Sequence, residues 1–165
     1  MVVIVMGVSG SGKTTVGQRL AEALGYPFRD ADAFHPPENI AKMATGHALT
    51  DEDRWPWLAR LRELIRSTQE SGGNLVLACS ALRRVYRERL SVDVAKERWV
   101  YLRAPRELIA ERLAARRGHY MPPALLDSQL ATLEVPEDAL AVDVSADVDA
   151  VVATLLRELG LQPSS

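Results

Sequence analysis

Five apolar residues, Val2-Val3-Ile4-Val5-Met6, run directly into Gly7-Val8-Ser9-Gly10-Ser11-Gly12-Lys13-Thr14, and no other stretch restricts the fold so tightly. The β-branched run reads as a strand buried on both faces. Beyond the glycines, apolar residues at Val16, Leu20, Ala21 and Leu24 share one helical face, and Gly25 follows as a C-cap. The segment between matches G-x-x-x-x-G-K-[ST], which binds phosphate when a strand precedes it and a helix follows, and both flanks are right. Gly10 and Gly12 let the backbone curl without Cβ clashes, so its N–H groups can face phosphate oxygens. The helix N-terminus adds partial positive charge there. Lys13 is placed to meet the β- and γ-phosphates, and the Thr14 hydroxyl to ligate Mg²⁺. The predicted nucleotide contacts are Gly7, Val8, Ser9, Gly10, Ser11, Gly12, Lys13, Thr14 and Thr15, with ATP and Mg²⁺ as the expected ligands.

The rest of the chain repeats the alternation of strand and helix. Strands are expected at residues 27–30, 74–79, 99–102 and 139–144. Helices are expected near residues 37–46, with Ile40 and Met43 on one face, and from Pro56, placed in a first turn, to Gly72-Gly73. Further helices are expected at 82–90, 105–117, 124–133 and 148–159. Such βαβ units give a parallel sheet covered on both faces, hence one three-layer α/β domain over residues 1–165.

Composition agrees with an ordinary globular chain: 47% of residues are apolar and 25% charged, and Cys79 is the lone cysteine, so a disulfide framework is excluded. With 20 basic and 22 acidic residues, the net charge of -2 provides no long-range attraction to nucleic acid or a membrane surface. No segment approaches the roughly 20 apolar residues that span a bilayer, and nothing resembles a targeting peptide. A soluble, cytoplasmic protein is expected.

The phosphate-binding motif does not by itself name the chemistry. A GTPase would carry D-x-x-G and N-K-x-D, and neither is present. Motor and transporter ATPases need a carboxylate where Cys79-Ser80 ends the third strand. A small kinase with its metal ligands elsewhere remains. Asp30-Ala31-Asp32 closes the second strand, and residues i and i+2 of a strand point the same way. Asp30 could then support Mg²⁺ while Asp32 takes the proton of an attacking hydroxyl.

The motif, Asp30-Ala31-Asp32-Ala33-Phe34-His35-Pro36, Asn39, Lys42-Met43, Gly46, Leu49-Thr50-Asp51-Glu52-Asp53-Arg54 and Pro56-Trp57-Leu58 together resemble the small gluconate kinases, or gluconokinases. So do Cys79-Ser80-Ala81-Leu82-Arg83-Arg84-Val85-Tyr86-Arg87, Arg112-Leu113 with Arg116, Gly118-His119-Tyr120-Met121, and Gln129 with Leu133-Glu134-Pro136. Departures are small: Ala31 stands where glycine is expected, Thr14 where serine is common, and Tyr120 where phenylalanine is usual. The resemblance implies a fold shared with shikimate and nucleoside-monophosphate kinases, with five parallel strands in the order 2-3-1-4-5 and a mobile lid over about residues 112–123. It implies ATP-dependent phosphorylation of D-gluconate to 6-phospho-D-gluconate, and the family often forms homodimers.

Gluconate is a polyol ending in a carboxylate, so its site needs a cation, hydrogen-bonding groups and a base. Asp32 is the expected base. Following the resemblance, Arg54 with Arg84 or Arg87 would clamp the carboxylate, and Gln129 joins the substrate set. His35 either hydrogen-bonds a substrate hydroxyl or caps the short helix after Pro36-Pro37. Arg112 and Arg116 share a helix face where related kinases carry the lid, and Arg116 is the expected lid arginine acting on the transferring phosphoryl group. Cys79 and the tryptophans read as core. A shikimate kinase is the nearest rival, but Ser80-Ala81-Leu82 stands where that family places three glycines. A nucleotide switch acting on a macromolecule is the rival of another class.

Overall fold

The structure is a computed structural model that describes residues 1–115 and 123–164. β1 (Val2–Met6) lies at the centre of a five-stranded, fully parallel sheet. β2 (Phe28–Asp30), β3 (Leu75–Ala78), β4 (Glu97–Arg103) and β5 (Leu140–Asp143) complete it, in the order β2-β3-β1-β4-β5. Every β1 residue is buried, as a strand covered by helices on both faces requires.

Side-chain alternation sorts two cores. Ile4, Met6, Leu77 and Cys79 pack on one face with Leu58, Leu61 and Ile65 of α3 (Asp51–Glu70) and Tyr86 and Leu90 of α4 (Arg84–Leu90). Val3, Val5, Val76 and Val100 pack on the other with Val16 and Leu20 of α1 (Lys13–Leu24) and Val151, Val152 and Leu155 of α7 (Val148–Leu159). A smaller cluster joins Val8 and Leu82 to Ile109 and Leu113 of α5 (Arg106–Ala114) and Leu126 of α6 (Pro123–Thr132). No described helix is long and apolar enough to cross a membrane.

The parallel register decides where the site lies. Val5 pairs with Ala78, and Ala78 pairs with Asp30. The chain therefore leaves β1, β3 and β2 at one level, and the segments starting at Gly7, Cys79 and Ala31 emerge along a single edge. Gly10 is required there for a steric reason besides its φ of 81°: a Cβ would lie 2.7 Å from Leu113 Cγ of α5.

Several local expectations are corrected. Asp32 is not on a strand, because residues Ala31–Phe34 form a 3-10 turn in which the N–H of Asp32 bonds to Asp30 Oδ1 at 2.9 Å. The helix bearing Trp57 starts five residues before Pro56, at Asp51. Thr50 caps it by accepting from Asp53 N at 3.1 Å, while Asp53 Oδ2 accepts from Thr50 N at 2.8 Å. This reciprocal box sets the start and leaves Pro56 in the second turn, where its ring removes one intrahelical bond. In α2 (Pro37–Ala44) the buried residue is Asn39, whereas Ile40 and Met43 are exposed.

Because the Thr50 cap fixes the start of the helix that carries Arg54 and Trp57, Thr50→Ala should lower unfolding stability by about 1 kcal/mol. Urea denaturation of the two proteins checks this, and Asp53→Ala should show a loss in the same direction.

Candidate active site

The cleft at the strand ends is lined by the glycine-rich loop from Ser9 to Thr14, by Asp30 and Asp32, and by Ala78, Cys79 and Ser80. The loop is held from within. Buried Ser11 donates its hydroxyl to Val8 O at 2.7 Å, and Lys13 Nζ reaches the same carbonyl at 3.1 Å. Gln129 of α6 holds it from outside, its Oε1 accepting from Ser9 N at 2.8 Å and its Nε2 donating to Ser9 Oγ at 3.0 Å. Both ends of the Gln129 amide are therefore engaged with the loop.

The Thr14 hydroxyl donates to Asp30 Oδ2 at 3.1 Å. Two hard oxygen donors thus meet at the start of α1, the donor chemistry that suits Mg²⁺ with phosphate oxygens and water completing the shell. Asp32 lies beside them. Burial and the neighbouring Asp30 charge push its carboxyl above the ordinary value, and Lys13 opposes part of that rise. Cys79 lines the same cleft but is buried, and desolvation pushes its thiol up to about 12, so it stays protonated and non-nucleophilic at neutral pH.

His35, buried, follows the turn that carries Asp30 and Asp32. Its ring stacks on Trp57 with centroids 4.2 Å apart, and Trp57 Nε1 donates to Ala31 O at 2.7 Å, tying α3 to the Asp30–Asp32 turn. Asn39 Nδ2 donates to Asp53 O at 2.8 Å, which identifies that atom as the amide nitrogen. Its other hydrogen faces His35 Nδ1 at 3.2 Å, so Nδ1 accepts and the proton of the neutral ring resides on Nε2. Burial and the charge of Arg54 lower His35 to about 4, keeping it neutral at pH 7. Pro36, not His35, occupies the N-cap of α2.

The arginines separate clearly. Arg54 sits in the first turn of α3 and donates from Nη1 to Leu49 O at 2.7 Å and to the Tyr86 hydroxyl at 3.1 Å. Arg87 turns inward to the carbonyls of Ala81, Leu82 and Glu134. Arg84 is largely exposed and pairs with Glu88. Arg112 donates to Val144 O at 2.6 Å, fastening α5 to the end of β5. Arg116 and most of the expected lid lie outside the described residues. Asp51, Arg83 and Tyr86 were not singled out from the sequence, yet they surround Arg54. The signal was available in the spacing Arg83-x-x-Tyr86, which puts both on one face as α4 begins.

A strand, a phosphate-cradling loop and a helix at the centre of a 2-3-1-4-5 sheet define a P-loop nucleotide-binding domain of the kinase type. The AAA domain family matches residues 2–136. A gluconokinase of Gluconobacter oxydans is 48% identical over 157 residues, spanning 93% of this chain and 88% of that one. A probable gluconokinase of Xenopus tropicalis is 42% identical, spanning 96% of this chain and 93% of its own length. The crystal structure of a gluconokinase from Sinorhizobium meliloti superposes with a TM-score of 0.87 at 46% identity, covering 96% of this chain and 90% of that one. The chain belongs to the gluconokinase family.

The histidine environment has a consequence for stability. Between about pH 6.5 and 4 the unfolded chain protonates His35 and the folded chain does not. Stability attributable to this residue is therefore complete above pH 6.5 and declines as pH falls through that window. Urea unfolding of wild type and His35→Gln at pH 7, 6 and 5 should show a shallower pH dependence for the variant.

Proposed function

We propose that this chain transfers the γ-phosphoryl group of ATP to the terminal hydroxyl of D-gluconate, giving 6-phospho-D-gluconate and ADP. The observation that carries this reading is the placement of the Asp32 carboxylate in one cleft with the phosphate loop, Lys13 and Asp30. A nucleotide hydrolase would need to hold a water molecule there. A kinase needs a base for an acceptor hydroxyl, and Asp32 is proposed to fill that role, with His35 and Arg54 holding the acceptor.

In this mechanism the loop amides and Lys13 hold the β- and γ-phosphates. A Mg²⁺ bound by Thr14 and Asp30 would neutralise charge on those phosphates. The acceptor oxygen forms a bond to the γ-phosphorus as the bond to the β–γ bridging oxygen breaks, and ADP leaves with that electron pair. Asp32 takes the hydroxyl proton. Its raised pKa makes it a stronger base toward that proton than an ordinary aspartate. His35 donates from Nε2 to a polyol oxygen, and Arg54 faces the substrate carboxylate. Arg116 is the residue proposed to act on the transferring phosphoryl group, while Arg112 is held at the end of β5 by Val144 O.

ADP release measured with gluconate, shikimate, glucose and AMP as acceptors tests the assignment, with gluconate alone expected to turn over efficiently. Turnover without any acceptor would favour a nucleotide switch instead. Asp32→Asn should lower kcat by about 10²- to 10⁴-fold while leaving nucleotide affinity nearly unchanged. Since Asp32 must be ionised to accept a proton and its pKa is raised, activity should begin to fall on acidification above the ordinary carboxylate value of 3.8. That acid limb should be absent in Asp32→Asn. Asp30→Asn should instead raise the Mg²⁺ concentration needed for half-maximal rate.

A further inference from the structure

We infer that Arg83, paired with Arg54, binds the substrate carboxylate, and that Tyr86 and Asp51 are the positioning residues that hold the two guanidiniums together. The inference rests on the proposed acceptor and names the second cation of its site, which the sequence placed at Arg84 or Arg87.

The alternatives are occupied elsewhere. Arg87 spends its donors on three main-chain carbonyls and so braces the turn after β3. The Arg84 side chain is 78% exposed and lies along the outer face of α4 toward Glu88. Arg83, one residue earlier, turns the other way. Its Nη1 donates to Asp51 Oδ2 at 2.7 Å, and its guanidinium carbon lies 5.7 Å from the centre of the Tyr86 ring. The Arg54 guanidinium carbon lies 5.3 Å from the same ring. One aromatic ring therefore carries both cations.

The Tyr86 hydroxyl locks this arrangement, donating to Asp51 Oδ1 and accepting from Arg54 Nη1. Asp51 thus faces both arginines, at 2.7 Å from Arg83 and 3.8 Å from Arg54, but supplies one negative charge against two positive ones. Glu134 stands at the rim, 3.5 Å from Arg83 Nε with half its side chain in water, and Lys42 and Asp53 neutralise each other behind Asn39. Among the described residues, Arg54 Nε and Nη2 have no acceptor, and Arg83 keeps N–H donors beyond its contacts to Asp51, Glu134 and Tyr86. These remaining donors, on planar groups fixed by Tyr86 and Leu49 O, suit a carboxylate better than a neutral hydroxyl. The pair lies near the cleft: Arg54 is close enough to His35, which follows the Asp30–Asp32 turn, for its charge to act there, and Arg83 follows cleft-lining Ser80 by three residues.

The test measures KM for gluconate, KM for ATP, kcat and melting temperature on Arg83→Gln, Arg83→Lys, Tyr86→Phe and Arg87→Gln. Arg83→Gln should raise the gluconate KM about 10- to 100-fold with the ATP KM nearly unchanged. Arg83→Lys should recover part of that loss, because the charge returns without the planar fork. Tyr86→Phe keeps the ring and should raise the gluconate KM by less than Arg83→Gln. Arg87→Gln should lower the melting temperature and leave the gluconate KM near that of wild type. An Arg83→Gln enzyme with an unaltered gluconate KM, or with both KM values raised alike, overturns the assignment of Arg83 alone. A wild-type protein that does not phosphorylate gluconate overturns the acceptor itself, and this pair with it.

Discussion

Parallel pairing of β2, β3 and β1 is the constraint on which the cleft depends. Each strand leaves the sheet at the level set by the contacts Val5–Ala78 and Ala78–Asp30, so three loops of unrelated sequence arrive at one edge. The first brings amides and a lysine, the second a pair of carboxylates, and the third Ser80 and the arginine-rich turn into α4. A slip of one residue in any pair would reverse which side chains face α1 and which face α3. The two faces of β1 and β3 pack against different helices with side chains of different shape, so such a slip would mispack both cores.

Charge is distributed across the cleft so that each reacting group meets its opposite. Lys13 and the N-terminus of α1 confront phosphate, while Asp30 and Asp32 repel each other beside them. Burial together with that repulsion raises the Asp32 pKa, while Asp30 accepts from the Thr14 hydroxyl. Farther out, His35 is kept neutral by burial and by Arg54, and in the proposed mechanism it offers a donor without adding positive charge. Gln129 fastens α6 to the loop, and Glu134 beyond the end of α6 binds the backbone of Arg84. The phosphate loop and the turn into α4 therefore share one structural support.

The fold was legible in the sequence because its signals are local and redundant. β-branched runs, glycine caps and helical apolar faces marked all five strands and placed β1, α1 and α7 to the residue. The start of α3 was missed because Pro56 is a conspicuous helix-start signal, whereas the Thr50–Asp53 box that wins uses an aspartate in place of the commoner glutamate. Asp30 and Asp32 were found, although a 3-10 turn rather than a strand brings them together. The arginines were the least legible group. Spacing gives the face of a helix but not which partner a flexible guanidinium will find, and Arg83, Arg84 and Arg87 differ only in whether Asp51, Glu88 or main-chain carbonyls lie within reach.

The central claim is that this cleft moves a phosphoryl group onto the gluconate chain rather than onto water. Phosphorus NMR of the protein with ATP, Mg²⁺ and gluconate follows the fate of that group directly. The account predicts a phosphate monoester, coupled to the protons of the terminal methylene of gluconate, growing in step with ADP and without inorganic phosphate. Inorganic phosphate accumulating with ADP while gluconate stays unmodified would contradict it.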